Sequence, residues 1–597
     1  MFSHLSEKQL EICNFEKGLV VVKACPGSGK TYSVSARIAK LLLSRNFKRK
    51  GIAALSFTNV ACNEILSKLD HDFGIKFLID HPHIITTLDS FINQYIFLPF
   101  GHLCMMSIRR PILVGEPYSL WNIQRPFNNY DQYFDKTTFN IDGYLMMISP
   151  AQAFHFKWDY YNKKGEVNGH IQNIINTKHH YFKKGFANQS DANFIALMTL
   201  ERFPLIARNI ANLFEYYIID EAQDTDEIQM KIIETLQKFG TDNIMLIGDR
   251  DQAIFEWNNA KPEIFDNKYK EWGKILLDEN RRSSQKICNF IRHLSSFEMT
   301  ESINSAVKTY DFEPLILGYK RKQKKLDDWI VSPTESIQSF DKIMTYFCAI
   351  CEEHQIPINK QSVAVLYRGN SLSELIRIQK EAFEFNESPW LQNCLHDKNI
   401  IKGKHLYENG NFKEGYKLLE KGFIEAIKKQ SNNNFYCTNE IIEDFIAEKG
   451  GFKNFRTFLF YLINLLPSTF DRLLSEWVVD ANENLKAQKI ELKIASKNAD
   501  IKIDSLFGGN LKSDLYPFYF GTVHSVKGKT FEAVLLILGK KAGMNYVNML
   551  SKNLNEIKPE YQEELRIVYV GISRPRKILL LSVPEEDVTQ WKSKFLN

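Results

Sequence analysis

The chain of 597 residues is 44% hydrophobic and 25% charged, the balance of an ordinary globular protein with room for roughly four domains of about 150 residues. Its net charge of +5 is too mild to mark nucleic-acid binding by itself, so any basic footprint must be local. No stretch reaches the roughly 18 continuous apolar residues that cross a bilayer, and the opening MFSHLSEKQLE lacks the apolar core of a secretion signal; membrane and secreted classes are set aside and a cytoplasmic setting is expected.

In chain order, short apolar runs recur at 19–22, 52–57, 216–219, 243–247, 363–367, 534–538 and 578–583, with helical stretches between them. Strands alternating with helices predict an α/β fold whose parallel sheets are covered by helices on both faces. Two stretches, 96–189 and 373–511, lack that pattern and read as mainly helical insertions, neither with an internal repeat. The second contains NFKEGYKLLEKGFIEAIKKQ, which puts Leu418, Leu419, Phe423, Ile424 and Ile427 on one helical face and predicts a subdomain packing on itself rather than a partner groove. YKRKQKK, around Lys320, reads as a solvated basic loop, with nucleic-acid contact or a nuclear signal as the other readings. Nine cysteines without a framework of spacings suit a reducing compartment. Cys348 and Cys351 form one CxxC pair, but no second pair follows, so a buried helical pair is expected rather than a metal or redox site.

The strongest local signal is VVVKACPGSGKTYSVSARIAKLL. A strand runs through the turn Ala24, Cys25, Pro26, Gly27, Ser28, Gly29 into a helix that begins at Gly29, Lys30 and Thr31. Phosphates need backbone N–H groups, a helix N-terminus, a cation and a hydroxyl for magnesium, and this segment offers all four. Gly27 and Gly29 allow close backbone approach. Lys30 is suited to the β- and γ-phosphates of ATP, and Thr31 to Mg²⁺. The strict pattern has Gly where Ala24 stands, which leaves a degenerate site that binds without hydrolysis as the competing reading. YYIIDEAQDT weighs against it: Asp220 ends a strand, where it can hold the magnesium, and Glu221 can orient and deprotonate the attacking water.

Taken together, the motifs resemble the UvrD/Rep helicases of superfamily 1. LSEKQLEI resembles the family's Q motif, with Gln9 on the adenine edge; LSFTNVACNEI resembles motif Ia; TTLDSF resembles motif Ib, with Asp89 where His is usual. LIGDRDQAIFEWNNA, LDENRRSSQKI, VAVLYRGNSLSEL, GTVHSVKGKTFEAVLL and EELRIVYVGISRPRK resemble motifs III, IV, IVa, V and VI, in the family's order and across nearly the whole chain. The resemblance implies two RecA-like P-loop domains, 1A (1–95 and 190–278) and 2A (279–372 and 512–597), with ATP between them, and inserted subdomains 1B (96–189) and a reduced 2B (373–511). It implies that Gln252 couples the γ-phosphate to the DNA track, and that Arg282 and Arg574 reach the γ-phosphate from the second domain as arginine fingers. For an isolated arginine the ordinary reading is a surface salt bridge.

Three departures stand out. The family sandwiches adenine between an Arg after the P-loop Thr and a Tyr in motif IV, whereas here Tyr32 and Arg281 occupy those positions, an exchange that still permits stacking. Thr530 stands where a ribose-contacting Glu is expected, and Pro575 where Ala is usual, which limits the backbone after Arg574. For the DNA track the resemblance implies base stacking by Phe57, Phe255 and Trp257, with phosphate and sugar contacts from Thr58, Asn59, His524 and Lys527; core packing is the competing reading of each aromatic.

The function the resemblance implies is ATP-driven 3′→5′ movement on single-stranded DNA with unwinding at duplex junctions. About twenty residues follow motif VI, so no nuclease domain is expected on this chain. The short form, with SDANFIALMTLERFP and ISRPRK, is similar to helicase subunits of Gabija anti-phage systems. That likeness implies the alternative of a DNA-stimulated ATPase sensor working with an OLD-family nuclease. An RNA-directed enzyme is a third reading, disfavoured by the DEAQD stretch and the subdomain layout.

Overall fold

Every apolar run read from the sequence lies within a strand of one of two sheets or at its edge. The computed structural model describes residues 4–44, 50–75, 79–114, 127–130, 133–134, 137–141, 146–148, 169–254, 261–297, 300–321, 329–332, 340–368, 395–429, 439–495, 500–507, 516–539, 546–552 and 559–595, with residues 2, 77, 143, 556 and 557. Two compact units divide the chain. One comprises Met1–Ile112, Lys136–Lys380 and Tyr516–Asn597; the other comprises Leu113–Asp135 and Glu381–Leu515.

The larger unit holds both sheets. The first is built from β1 (Leu19–Ala24), β2 (Gly51–Ser56), β3 (Ile84–Thr87), β4 (Phe214–Ile219), β5 (Ile244–Gly248) and β6 (Gly273–Leu277). Their order is β6-β1-β5-β4-β2-β3, and every neighbouring pair is parallel. The second sheet contains β7 (Leu315–Arg321), β8 (Trp329–Ser332), β9 (Val363–Arg368), β10 (Tyr519–Thr522), β11 (Phe531–Leu538) and β12 (Pro575–Pro584). It runs β8-β7-β12-β11-β9-β10, with only the β7–β8 edge pair antiparallel.

Central strands are buried on both faces, hence their unbroken Val/Ile/Leu runs. Val20, Val22, Ile218 and Ile247 pack under one side of the first sheet. Leu536 and Leu579 face one core of the second sheet, and Leu535 and Leu580 the other. Parallel neighbours bring the C-terminal ends of β1, β5 and β4 side by side, the edge at which open α/β sheets place their ligand crevices.

The smaller unit is helical around one core. Its helices Leu395–Glu408, Phe412–Lys429, Phe452–Leu465 and Leu474–Leu485 bury Leu419, Phe423, Leu459, Leu462 and Trp477. The first two helices press backbone to backbone: a Cβ on Gly415 would lie 2.6 Å from Tyr407 N. The helical face read from Leu418 to Ile427 does pack inward, with Leu419, Phe423 and Ile424 fully buried.

One expectation needs correcting. Tyr319, Lys320 and Arg321 are not loop but the end of β7, paired with β8; the apolar start of that strand already pairs with β12, and the basic residues extend it. Residues 322–328 of the same run lie outside the described residues. The helix Phe340–Glu353 carries Cys348, partly buried, and Cys351, fully buried. Both are free thiols, and no metal-ligand cluster occurs among the described residues. No described helix is long and apolar enough to cross a membrane.

Candidate functional site

β1 ends at the fully buried Ala24, and the chain turns through residues 25–29 into the helix Lys30–Ser44. Gly27 and Gly29 adopt φ of +71° and +81°, which only glycine takes without cost. Neighbours impose the same choice: a Cβ would come within 2.6 Å of Arg282 Cβ at Gly27 and 2.8 Å of Gln9 Nε2 at Gly29. Ser28 Oγ donates back to Cys25 O at 2.7 Å, closing the turn. Gln9 is the N3 partner of Ser6 in a capping box, and its Nε2 donates to Ser28 O at 3.1 Å. The short N-terminal helix is thereby fastened to the turn.

Lys30 Nζ lies 3.4 Å from Glu221 Oε2. Asp220, at the end of β4, is buried; its Oδ1 accepts from Glu221 N at 3.0 Å, while Oδ2 has no hydrogen-bond partner. A buried acceptor left without a donor beside a hydroxyl-bearing helix start is what a divalent cation or its water completes. Thr31 and Asp220 are the groups that would hold one, whereas both carboxylate oxygens of Asp249 already accept hydrogen bonds, from Asp251 N and Gln252 Nε2. Burial and then the charge of Glu221 push the Asp220 carboxyl up. Burial pushes Glu221 the same way, but the ammonium groups of Lys30 and Lys527 outweigh it and keep Glu221 ionised. Glu221 also sits at φ +54°, a left-handed position costing on the order of 1–2 kcal/mol in a non-glycine residue. Gln223 Nε2 donates to Glu221 Oε2 at 2.5 Å and pins it there.

Opposite groups come from the residue just before β12 and from the stretch that follows β6. Arg574 is buried, donating from Nε to Val570 O at 2.9 Å and from Nη2 to Gln252 Oε1 at 2.9 Å. Gln252 in turn donates to Asp249 Oδ2 at 2.6 Å, so one carboxamide links β5 to β12. Arg282 Nη1 donates to Ser573 O at 2.9 Å. Burial lowers Arg574 to about 9, with Arg282 pressing the same way; burial lowers Arg282 to about 10, against the pull of Glu64. Two guanidiniums that repel one another in a dry site are poised for an anion.

Lys527, read as a phosphate contact of the DNA track, has its ammonium on the Asp224 carboxylate and on Gln252 O at 3.1 Å. Asp224 is fully buried, and a buried carboxylate demands a cation. His524 is half-buried, its pKa lowered by burial and by Arg368. Thr58 caps the helix Asn59–His71 by accepting from Ala61 N at 3.2 Å; Asn59 is exposed and Phe57 half-buried. Phe255 and Trp257 lie outside the described residues. Tyr32 packs on Phe73 at 5.6 Å between ring centroids and bonds His4 through its hydroxyl. Arg281 N donates to Gly27 O at 2.8 Å, and its buried Nε has no partner.

The sequence reading missed Asp249, Gln223 and Asn280. Asp249 follows an apolar strand as Asp220 does, so the same signal was present; Gln223 and Asn280 carry none that spacing reveals.

Asp89, where the family has His, accepts from Asn193 at 3.1 Å and Gln229 at 2.8 Å. Close by, Asp226 caps the helix Glu227–Lys238 and is pushed by burial to about 7 from 3.8, against its backbone hydrogen bonds. Because the folded state holds this proton more tightly than the unfolded one, its stability is undiminished below about 3.8 and falls as pH climbs toward 7. Asp226→Asn keeps the cap and removes the charge. Its thermal midpoint, relative to the parent, should rise between pH 5 and pH 8; a difference constant over that range contradicts the assignment.

Residues 5–273 match the family model described as UvrD/REP helicase N-terminal domain. The ATP-dependent DNA helicase PcrA of Staphylococcus aureus is 23% identical over 656 residues, covering 98% of this chain and 83% of that protein. The PcrA of Staphylococcus epidermidis is 23% identical over 429 residues, covering 69% of this chain and 53% of its own. With its phosphate-binding turn, its strand-end Asp-Glu pair and two flanked parallel sheets in place, the chain carries a UvrD/REP helicase N-terminal domain over residues 5–273 and is similar to the PcrA helicases along nearly all of its length.

Proposed function

We propose that this chain is an ATP-dependent DNA helicase that couples hydrolysis to 3′→5′ movement on single-stranded DNA and opens duplex junctions. The observation that carries it is one cluster, in which Lys30 and Glu221 are 3.4 Å apart and Arg282 and Arg574 both feel the Glu221 charge. The name of the PcrA relatives, ATP-dependent DNA helicase, agrees with it.

In this reading Lys30 neutralises the β- and γ-phosphates. Thr31 and Asp220 hold Mg²⁺, which when bound offsets charge on the phosphate oxygens. Glu221, kept ionised by Lys30 and Lys527, orients the attacking water and takes its proton. Arg282 and Arg574 stabilise negative charge on the transferred group. Gln252, bonded to both Asp249 and Arg574, passes the state of the phosphates to the second sheet. Gln9, Tyr32 and Arg281 surround the base. Phe57, Thr58, Asn59, Phe255, Trp257 and His524 form the DNA track, with Lys527 joining it once Asp224 releases its ammonium. The division into 1A, 1B, 2A and 2B at the boundaries given above belongs to the same proposal. No observation favours the nuclease-coupled sensor over the motor, and one assay separates them.

On duplexes tailed at either end, the parent chain should displace strands only from the 3′-tailed substrate, and Lys30→Ala should displace none. Glu221→Gln should retain ATP binding and hydrolyse at least about 100-fold more slowly. DNA-stimulated hydrolysis without displacement supports the sensor reading; displacement by Lys30→Ala refutes the site. Arg281→Ala tests the exchanged base sandwich. It should raise the KM for ATP about tenfold at nearly constant kcat, and an unchanged KM removes Arg281 from the base site.

A further inference from the structure

The stretch 280–284 is fastened at both ends. Toward the phosphate-binding turn, Asn280 Nδ2 donates to Pro26 O at 2.9 Å and Arg281 N donates to Gly27 O at 2.8 Å. Toward the strand that carries Arg574, Ser283 Oγ donates to Pro575 O at 2.7 Å, Ser284 N donates to Arg576 O at 2.9 Å, and Arg282 Nη1 donates to Ser573 O. Between these ties sits the Asn280 side chain, fully buried. Its Oδ1 accepts from Arg282 N at 2.7 Å and from Ser283 N at 2.8 Å.

This one carboxamide therefore bonds the turn on its donor side and the backbone of Arg282 on its acceptor side. Few other side chains suit the place. A carboxylate has no N–H for Pro26 O and adds charge to a crowded anion site. An apolar residue strands three buried backbone groups, each costing about 1–3 kcal/mol. Contact is close enough that Gly27 has no room for a Cβ, which would lie 3.0 Å from Asn280 Oδ1 and 2.6 Å from Arg282 Cβ.

We infer that Asn280 is a positioning residue that sets Arg282 against the phosphate-binding turn, so that a shift of the turn at Pro26 is carried through the carboxamide to the arginine backbone. The inference rests on the hydrolytic reading of this site. Asn280 needs no contact with nucleotide; it acts through Arg282, and its effect belongs to the transition state rather than to binding.

Asn280→Ser separates the two sides of the carboxamide. A serine hydroxyl can still accept from the following N–H groups and hold the local turn, but it does not reach Pro26. DNA-stimulated kcat should fall on the order of 100-fold, the cost of about 1 Å of misplacement, while KM for ATP and affinity for a fluorescent ADP change less than about threefold. The double variant Asn280→Ser/Arg282→Ala should be no slower than Arg282→Ala alone. A kcat for Asn280→Ser within about twofold of the parent overturns the inference, as do losses that multiply in the double variant or a parallel loss of ADP affinity. A circular-dichroism melt of each variant identifies one that fails to fold; Asn280→Thr, which keeps the accepting hydroxyl and is judged by the same cycle, then replaces Asn280→Ser. A parent chain that hydrolyses no ATP sinks the reading of the site and this inference with it, whereas an active parent with multiplying losses sinks only the role of Asn280.

Discussion

Lys30, Arg574, Asp220, Asp224 and Asp249 are buried together, with Lys527, Arg282 and Glu221 half-buried among them. Burying so many charges together is tolerable only because they are interleaved across the ends of β1, β4 and β5 and the start of β12. Lys30 faces Glu221, Lys527 faces Asp224, and the Gln252 carboxamide stands between Asp249 and Arg574. Asp220 Oδ2 and Arg281 Nε are left without partners. An acceptor and a donor of that kind suit a metal-bound nucleotide, whose cation would satisfy the carboxylate and whose base-side groups would meet the Arg281 guanidinium.

In the proposed motor the same interleaving carries the coupling. Gln252 touches groups from both sheets, Lys527 reaches from the second sheet to Asp224 and Gln252 beside the first, and Asn280 ties the phosphate-binding turn to the arginine stretch. A change of charge at the phosphates has several short routes into the second sheet, each a hydrogen bond with a named donor and acceptor. This is how a site of a few ångströms can bias the packing of two sheets, provided the bonds are remade rather than merely lost.

Strands at the middle of each sheet were legible because burial on both faces demands an unbroken apolar run, as in the fully buried Gly51–Ser56. Edge strands were not. Ile84–Thr87, Gly273–Leu277 and Tyr519–Thr522 are half-buried or exposed along much of their length, so no such run marks them, and Leu315–Arg321 was obscured by its own basic end. Of the candidate site, Lys30, Thr31, Asp220 and Glu221 could be proposed from sequence because each expected role is packed into a few consecutive residues. Asn280 was not, since its partner Pro26 lies 254 residues away and only the fold brings them together. Lys527 shows the limit of a motif: its position pointed to a DNA phosphate, and only the fold reveals that its ammonium rests on the carboxylate of Asp224.

The most direct test of the central claim is a structure of the chain with magnesium and a non-hydrolysable ATP analogue on single-stranded DNA. The account predicts the metal on the Thr31 hydroxyl and at the Asp220 carboxylate, directly or through water, with the γ-phosphate bonded by Lys30 and by both Arg282 and Arg574. A triphosphate bound with those two arginines turned away from it, or lodged anywhere other than against residues 25–31, would contradict it.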